Sequence, residues 1–189
     1  YYLKEVPKTK KEIRREKEEE LFKKGERIPI PTDAELIAEK EELPPYLVFT
    51  ITDVDNNVVR NIYEKPKKGI NRITWNLRYQ GSSPVNLKNG QFDPLEEGGD
   101  GSLALPGKYR VSMAQMIDGD RKELAGPVEF TARVLENVAL PVEDREELVA
   151  FQKNMADLNK VMQGAQRAID ELLDRTESMK QAGHNTPGI

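Results

Sequence analysis

The chain has no cysteine, which excludes disulfides and thiolate metal centres without assigning a reducing compartment. Its single histidine, His184, lies in the stretch His184-Asn185-Thr186-Pro187-Gly188. One histidine excludes a multi-histidine metal site, and its place in a terminal Gly/Pro-flanked tail argues against a histidine-dependent catalytic triad. Aromatic residues make up only 6% of the chain, with Trp75 the single tryptophan, so any core has few large anchors. No apolar run approaches the roughly 20 residues needed to cross a bilayer, and Tyr1-Tyr2-Leu3-Lys4 does not read as a signal peptide. No membrane span is expected. An excess of one charge is missing too: with 33% charged residues the net charge is only −4, so no global field recruits nucleic acid or anionic lipid.

What is present divides the 189 residues by character. Charge concentrates at the two ends, leaving 46–135 as the part able to build a core. Residues 1–6 read as a first strand ended by Pro7, and 7–45 as a charged helical insertion. In that insertion Thr9 and Gly25 bracket one solvated helix, and Thr32 or Asp33 caps a second that stops at Pro44-Pro45. From Tyr46 the apolar period becomes two: Leu47, Phe49 and Ile51 alternate with their neighbours, and turn residues 53–57 lead into Val58–Tyr63. Gly69 opens a strand in which Ile73, Trp75 and Leu77 share a face with Asn71. Another strand carries Tyr109, Val111 and Met113, Asp118-Gly119 marks a hairpin turn, and Val128, Phe130, Ala132 and Val134 complete the set. Five or six such strands over 46–137 predict a small β-sandwich, with Trp75 buried between its sheets near Phe49, Ile51, Tyr109 or Val111. A long irregular loop separates Tyr79 from Leu105.

The last segment, 138–182, is a heptad helix, and 183–189 reads as a terminal turn or tail. Leu148, Phe151, Met155, Leu158, Met162, Ala165, Ile169, Leu172, Thr176 and Met179 follow one another at alternating spacings of 3 and 4. That is a coiled-coil seam, and nothing else in the chain matches it as a partner helix. One nearly continuous helix is expected from about Glu143 to Lys180, since Gly164 costs only about 1 kcal/mol against alanine. Because Ile189 follows directly on the turn-like residues, the expected partner is a helix from a missing C-terminal segment or a second copy of the chain, the alternative being that the helix folds back on the sandwich.

The run Ile51-Thr52-Asp53, Asn57 to Arg60, Gly69 to Tyr79 and Leu105 to Val111 resembles an immunoglobulin-like module of the flagellar hook-assembly type. Together with the charged insertion, the strand Leu124 to Phe130 and the helix start Asp144 to Phe151, it looks like the C-terminal region of large bacterial proteins with sortilin-like, sialidase-type repeat propellers. Those proteins are often given the provisional label of glycosyl hydrolase. The resemblance covers nearly the whole chain, although Asn56-Asn57 stands where an Asp/Asn-Gly turn is usual and 91–101 has no counterpart. It implies a mainly β fold with helical appendages (α+β): an immunoglobulin-like sandwich, a charged helical insertion and a long coiled-coil-type helix. It also implies an upstream propeller domain and an exported location, periplasmic or extracellular, with the outer membrane as one place of attachment. The function implied is a non-catalytic structural and protein-interaction module without cofactor. The alternative is a carbohydrate- or calcium-binding accessory domain.

Two segments carry calcium-like chemistry. Asp53, Asp55, Asn57, Asn61 and Glu64 match positions 1, 3, 5, 9 and 12 of a calcium loop, but Val58 stands where that loop needs glycine and the flanks alternate like strands. A hairpin turn is the better reading. Asp93, Glu96, Glu97 and Asp100 sit among Gly98, Gly99 and Gly101, where a solvated loop is preferred to a cation site. Glycoside hydrolysis needs two facing acids with one buried enough to stay protonated, and the acids here sit on charged helices and turns. Tyr46, Tyr63, Tyr79 and Phe92 lie near turns and are the candidates for sugar stacking. The interaction seam is assigned to Leu148, Phe151, Met155, Leu158, Met162, Ile169 and Leu172.

Overall fold

A computed structural model of the chain describes residues 1–83, 93–96, 98–135 and 144–186. In chain order the elements are β1 (Tyr2–Leu3), α1 (Lys10–Lys24), α2 (Asp33–Glu41), β2 (Tyr46–Thr52), β3 (Val58–Glu64), β4 (Gly69–Ile70), β5 (Arg78–Gln80), β6 (Asp100–Leu103), β7 (Gly107–Ile117), β8 (Asp120–Ala132) and α3 (Arg145–Asn185). Helix accounts for about 39% of the described residues and strand for about 29%, so this is a mixed α/β assembly of antiparallel sheets and helices rather than a mainly β chain. It divides into two compact units. One holds 1–76, 106–133 and the described residues of 93–96; the other holds 77–83, 98–105, 134–135 and 144–186.

The first unit is built on a four-stranded antiparallel sheet of order β3-β2-β7-β8. Both of its hairpins follow from turn chemistry. Between β2 and β3 the Asp53 carboxylate accepts from the backbone N–H of Asp55 (3.0 Å) and Asn57 (2.8 Å), and Asn56 takes a left-handed φ of 65°. Between β7 and β8, Asp118 and Gly119 both have positive φ (49° and 90°), the twist that a tight two-residue hairpin requires. Pairing then begins at once, Ile117 opposite Asp120, so β8 starts well before the Val128 expected from the apolar pattern. Gly126 lets β8 pass close to β7: with φ +106°, a Cβ there would lie 2.7 Å from the Ser112 Cα.

Leu47, Phe49 and Ile51 point to one face of the sheet, and Ile62 and Met113 flank Phe49 on the neighbouring strands. All five are buried. Among the described residues, however, the covering layer is not a second full sheet. It consists of the two-residue pair β1–β4, which brings the Tyr1 ring to 4.9 Å from Phe49, and of the irregular stretch 71–76. The strand expected from Gly69 through Leu77 stops at Ile70. There the Asn71 side chain donates to the carbonyls of Lys67 (2.6 Å) and Gly69 (3.0 Å), and Leu77 adopts φ 58°. Trp75 is accordingly half-buried against the sheet face rather than enclosed between two sheets. Its neighbours are Tyr109 (5.1 Å, edge-on) and Phe130 (5.9 Å, edge-on).

The charged insertion forms two capped helices. Thr9 with Glu12 and Thr32 with Glu35 each make a full capping box, and Gly25 closes α1 in the left-handed conformation. Arg14 joins them: its guanidinium reaches both oxygens of Glu39 on α2 and also Glu18 one turn along α1.

Candidate functional site

The second unit places the interaction seam. Its hairpin-like pair β5–β6 is held tight at Gly101, where a Cβ would lie 2.7 Å from the Gln80 carbonyl oxygen; the Arg78 guanidinium also donates to the Gly101 carbonyl (3.0 Å). Helix α3 packs on β6. Val149 is its one buried residue, 7% exposed, and Lys153 one turn on sets its ammonium 4.5 Å from the centre of the Tyr79 ring. Ala156 and Gln163 continue this side and are partly covered.

The helix runs unbroken from Arg145 to Asn185 and passes through Gly164, as the heptad predicts. It also runs further than expected, so that His184 lies in its last turn rather than in a terminal tail. Thr186, the residue before Pro187, is the first to leave helical backbone, which is where the steric demand of a following proline falls. The expected start, 138–143, lies outside the described residues; Asp144 caps the helix without a side-chain hydrogen bond.

Opposite Val149 runs the seam. Leu148, Phe151, Met155, Leu158, Met162, Ile169 and Leu172 are all exposed, Phe151 by 61% and Leu172 by 62%. With 3.6 residues per turn, Val149 and Ala156 lie on the far side of the helix from Phe151, Leu158 and Ile169. The β5–β6 pair therefore covers one side of α3, and the apolar stripe points away from it. Val161 and Leu173, which the heptad count leaves out, are exposed beside the stripe and widen it, Val161 near its middle and Leu173 at its C-terminal end (68% and 62%). Counting every apolar residue on the helix, rather than only the 3-4 series, would have found them.

The remaining candidates lie elsewhere. Asp53, Asp55 and Asn57 form the β2–β3 turn, where Asp53 also accepts from the Asn57 side chain (3.1 Å), so its oxygens serve the turn's own donors. Asp93 belongs to the first unit and accepts from the Leu95 N–H (2.9 Å); Asp100 opens β6 in the second. Among the described residues no group of three or more His, Cys, Asp or Glu side chains could hold a metal ion. Glu97 and Phe92 lie outside them. Tyr46 and Tyr63 meet edge-on at 6.1 Å, with Tyr46 beside a proline-rich cavity of about 370 Å³ that Pro7, Pro44, Pro45, Pro66 and Pro94 help to line. Tyr79 belongs to the other unit, where the Lys153 ammonium lies over one face of its ring.

A general acid needs a carboxyl held in its protonated form. Glu39, hydrogen-bonded by Arg14, Glu35, bonded by the Thr32 backbone and hydroxyl, and Glu129, bonded by Lys108, are all shifted toward the ionised form instead. No described helix is long and apolar enough to cross a membrane. Comparison with protein-family models, with curated proteins and with solved structures finds no match.

Proposed function

We propose that this chain is a non-catalytic structural and protein-interaction module that binds through the exposed seam of α3. One observation carries the reading: a continuous 41-residue helix shows a heptad stripe of large apolar side chains on the side away from its own hairpin. Fully burying each such side chain is worth about 1.5–3 kcal/mol, so a matching helix gains most by lying along it. The partner belongs to a second copy or to a helix outside residues 1–189. The resemblance to the C-terminal region of sortilin-like propeller proteins supports a place beside an upstream propeller in an exported protein, with the first unit as an immunoglobulin-like variant. The half-open layering of that unit, one sheet covered by β1–β4 and the Trp75 segment, is compatible with such a variant.

Sedimentation of the chain tests this reading. Wild type should self-associate, and Leu158→Asp combined with Ile169→Asp should abolish the association while Trp75 fluorescence stays native. A wild-type chain that stays monomeric at high concentration, and that captures no synthetic heptad helix, would remove the seam as a binding surface.

A further inference from the structure

Resting on that reading, we infer that the seam's partner is the seam of a second copy lying antiparallel, with Leu148 beside the partner's Leu172. Three features of α3 select this arrangement over a parallel one.

The first is charge. In the heptad, Leu148, Met155, Met162, Ile169 and Thr176 hold the a positions, and Phe151, Leu158, Ala165, Leu172 and Met179 the d positions. The flanking g positions are Glu147, Asn154, Val161, Ala168 and Arg175. Antiparallel helices bring g against g. The register above sets Glu147 against the partner's Arg175, and Val161 at the two-fold axis against the partner's Val161, the self-complementary contact an isologous dimer requires. Parallel helices instead bring g against the e position of the next heptad. That arrangement would put Arg175 beside the partner's Lys180, two like charges, and would leave Glu147 beside the partner's Gln152.

The second feature is volume. Antiparallel packing sets a against d, so the layers become Leu148 with the partner's Leu172, Met155 with the partner's Ala165, Met162 with the partner's Leu158, and Ile169 with the partner's Phe151. Large meets small where the methionine lies over alanine, and no layer is left as a pair of alanines. In-register parallel packing would place Ala165 on the partner's Ala165 and leave a gap at mid-seam.

The third is the end of the stripe. Thr176, the one polar side chain in the a and d series, bonds its hydroxyl to the Leu172 carbonyl (2.7 Å), and only Met179 of the apolar series lies beyond it. The antiparallel overlap spans Leu148 to Leu172, about 36 Å of helix, and stops just short of Thr176. A parallel pair would enclose Thr176 against its own copy.

The absence of cysteine makes the test clean. Met155→Cys and Ala165→Cys are made separately in the whole chain and oxidised alone and as a mixture. The expected result is a disulfide heterodimer in the mixture, identified by mass, with little cross-linking of either variant alone. Arg175→Glu should weaken dimerisation about tenfold, and Glu147→Arg on the same chain should restore it. Efficient self-cross-linking of each variant alone, or a tighter Arg175→Glu dimer, would establish parallel pairing and overturn the inference while leaving the seam a binding surface. A chain that is monomeric throughout would overturn the inference, and the seam as a binding surface would fall with it only if the chain also captured no synthetic heptad helix. Helix content by circular dichroism distinguishes a lost interface from a lost helix.

Discussion

Trp75 shows how much a single residue can organise when large side chains are few. Its indole rests edge-on to Tyr109 and Phe130, and the Tyr109 and Phe130 rings lie 6.0 Å apart, so one three-ring cluster joins the irregular 71–76 stretch to β7 and β8. Tyr109 is buried while Trp75 keeps part of its surface in water. Trp75→Ala should therefore cost about 2 kcal/mol in urea unfolding, below the 3–5 kcal/mol of a fully enclosed aromatic. Trp75→Phe should recover most of it. A loss below about 0.5 kcal/mol would mean that the 71–76 stretch adds little to the core. The importance of Trp75 and its contact with Tyr109 were legible from composition and the alternating pattern. Its setting was not, because alternation continues through Ile73, Trp75 and Leu77 whether or not a neighbouring strand is there to pair with them. Beyond Ile70 the Asn71 side chain bonds back to the Lys67 and Gly69 carbonyls, a local contact that leaves no trace in the hydrophobic period.

Among the elements, the two short helices are tied by charge and the long one by its apolar side. The hydrogen bonds from Arg14 hold the Glu39 carboxyl below its ordinary value near 4.5. A depressed carboxylate stabilises the fold above its unfolded pKa, and that contribution disappears as pH falls through the lower folded value. Wild type should thus be more stable than Glu39→Gln at neutral pH, the gap closing as the pH falls below about 4. A gap that persists at about pH 2 would assign the effect of the substitution to something other than the ion pair. For α3, Gly164 sits inside the helix beside open space, with no neighbouring atom within 4 Å of where an alanine Cβ would lie. Gly164→Ala should accordingly raise helix stability by about 1 kcal/mol, read as a higher midpoint of the 222 nm transition. Helix existence and caps were readable from Thr9, Thr32, Gly25 and the heptad, since each is a local rule. The Arg14–Glu39 link was not: it joins positions 25 residues apart, and the sequence offers many equivalent Arg–Glu combinations on these helices.

At the scale of the whole molecule, the two units carry separate reporters. The single tryptophan belongs to the sheet unit, while α3 supplies most of the helical signal and the proposed interface. Mass action stabilises only what the associated state contains, so a helix held by a second copy melts at a temperature that rises with protein concentration. The sheet unit has its own buried core in Leu47, Phe49, Ile51, Ile62 and Met113 and requires no partner for it. Thermal unfolding followed at 222 nm should therefore move upward over a hundredfold range of concentration, while the transition seen by Trp75 fluorescence should stay nearly fixed. Leu158→Asp with Ile169→Asp should remove the concentration dependence at 222 nm and leave the fluorescence transition in place. If both signals shift together, the units unfold as one cooperative body and association stabilises the entire chain. If neither shifts, α3 is stable without pairing, and the apolar stripe contributes nothing to self-association.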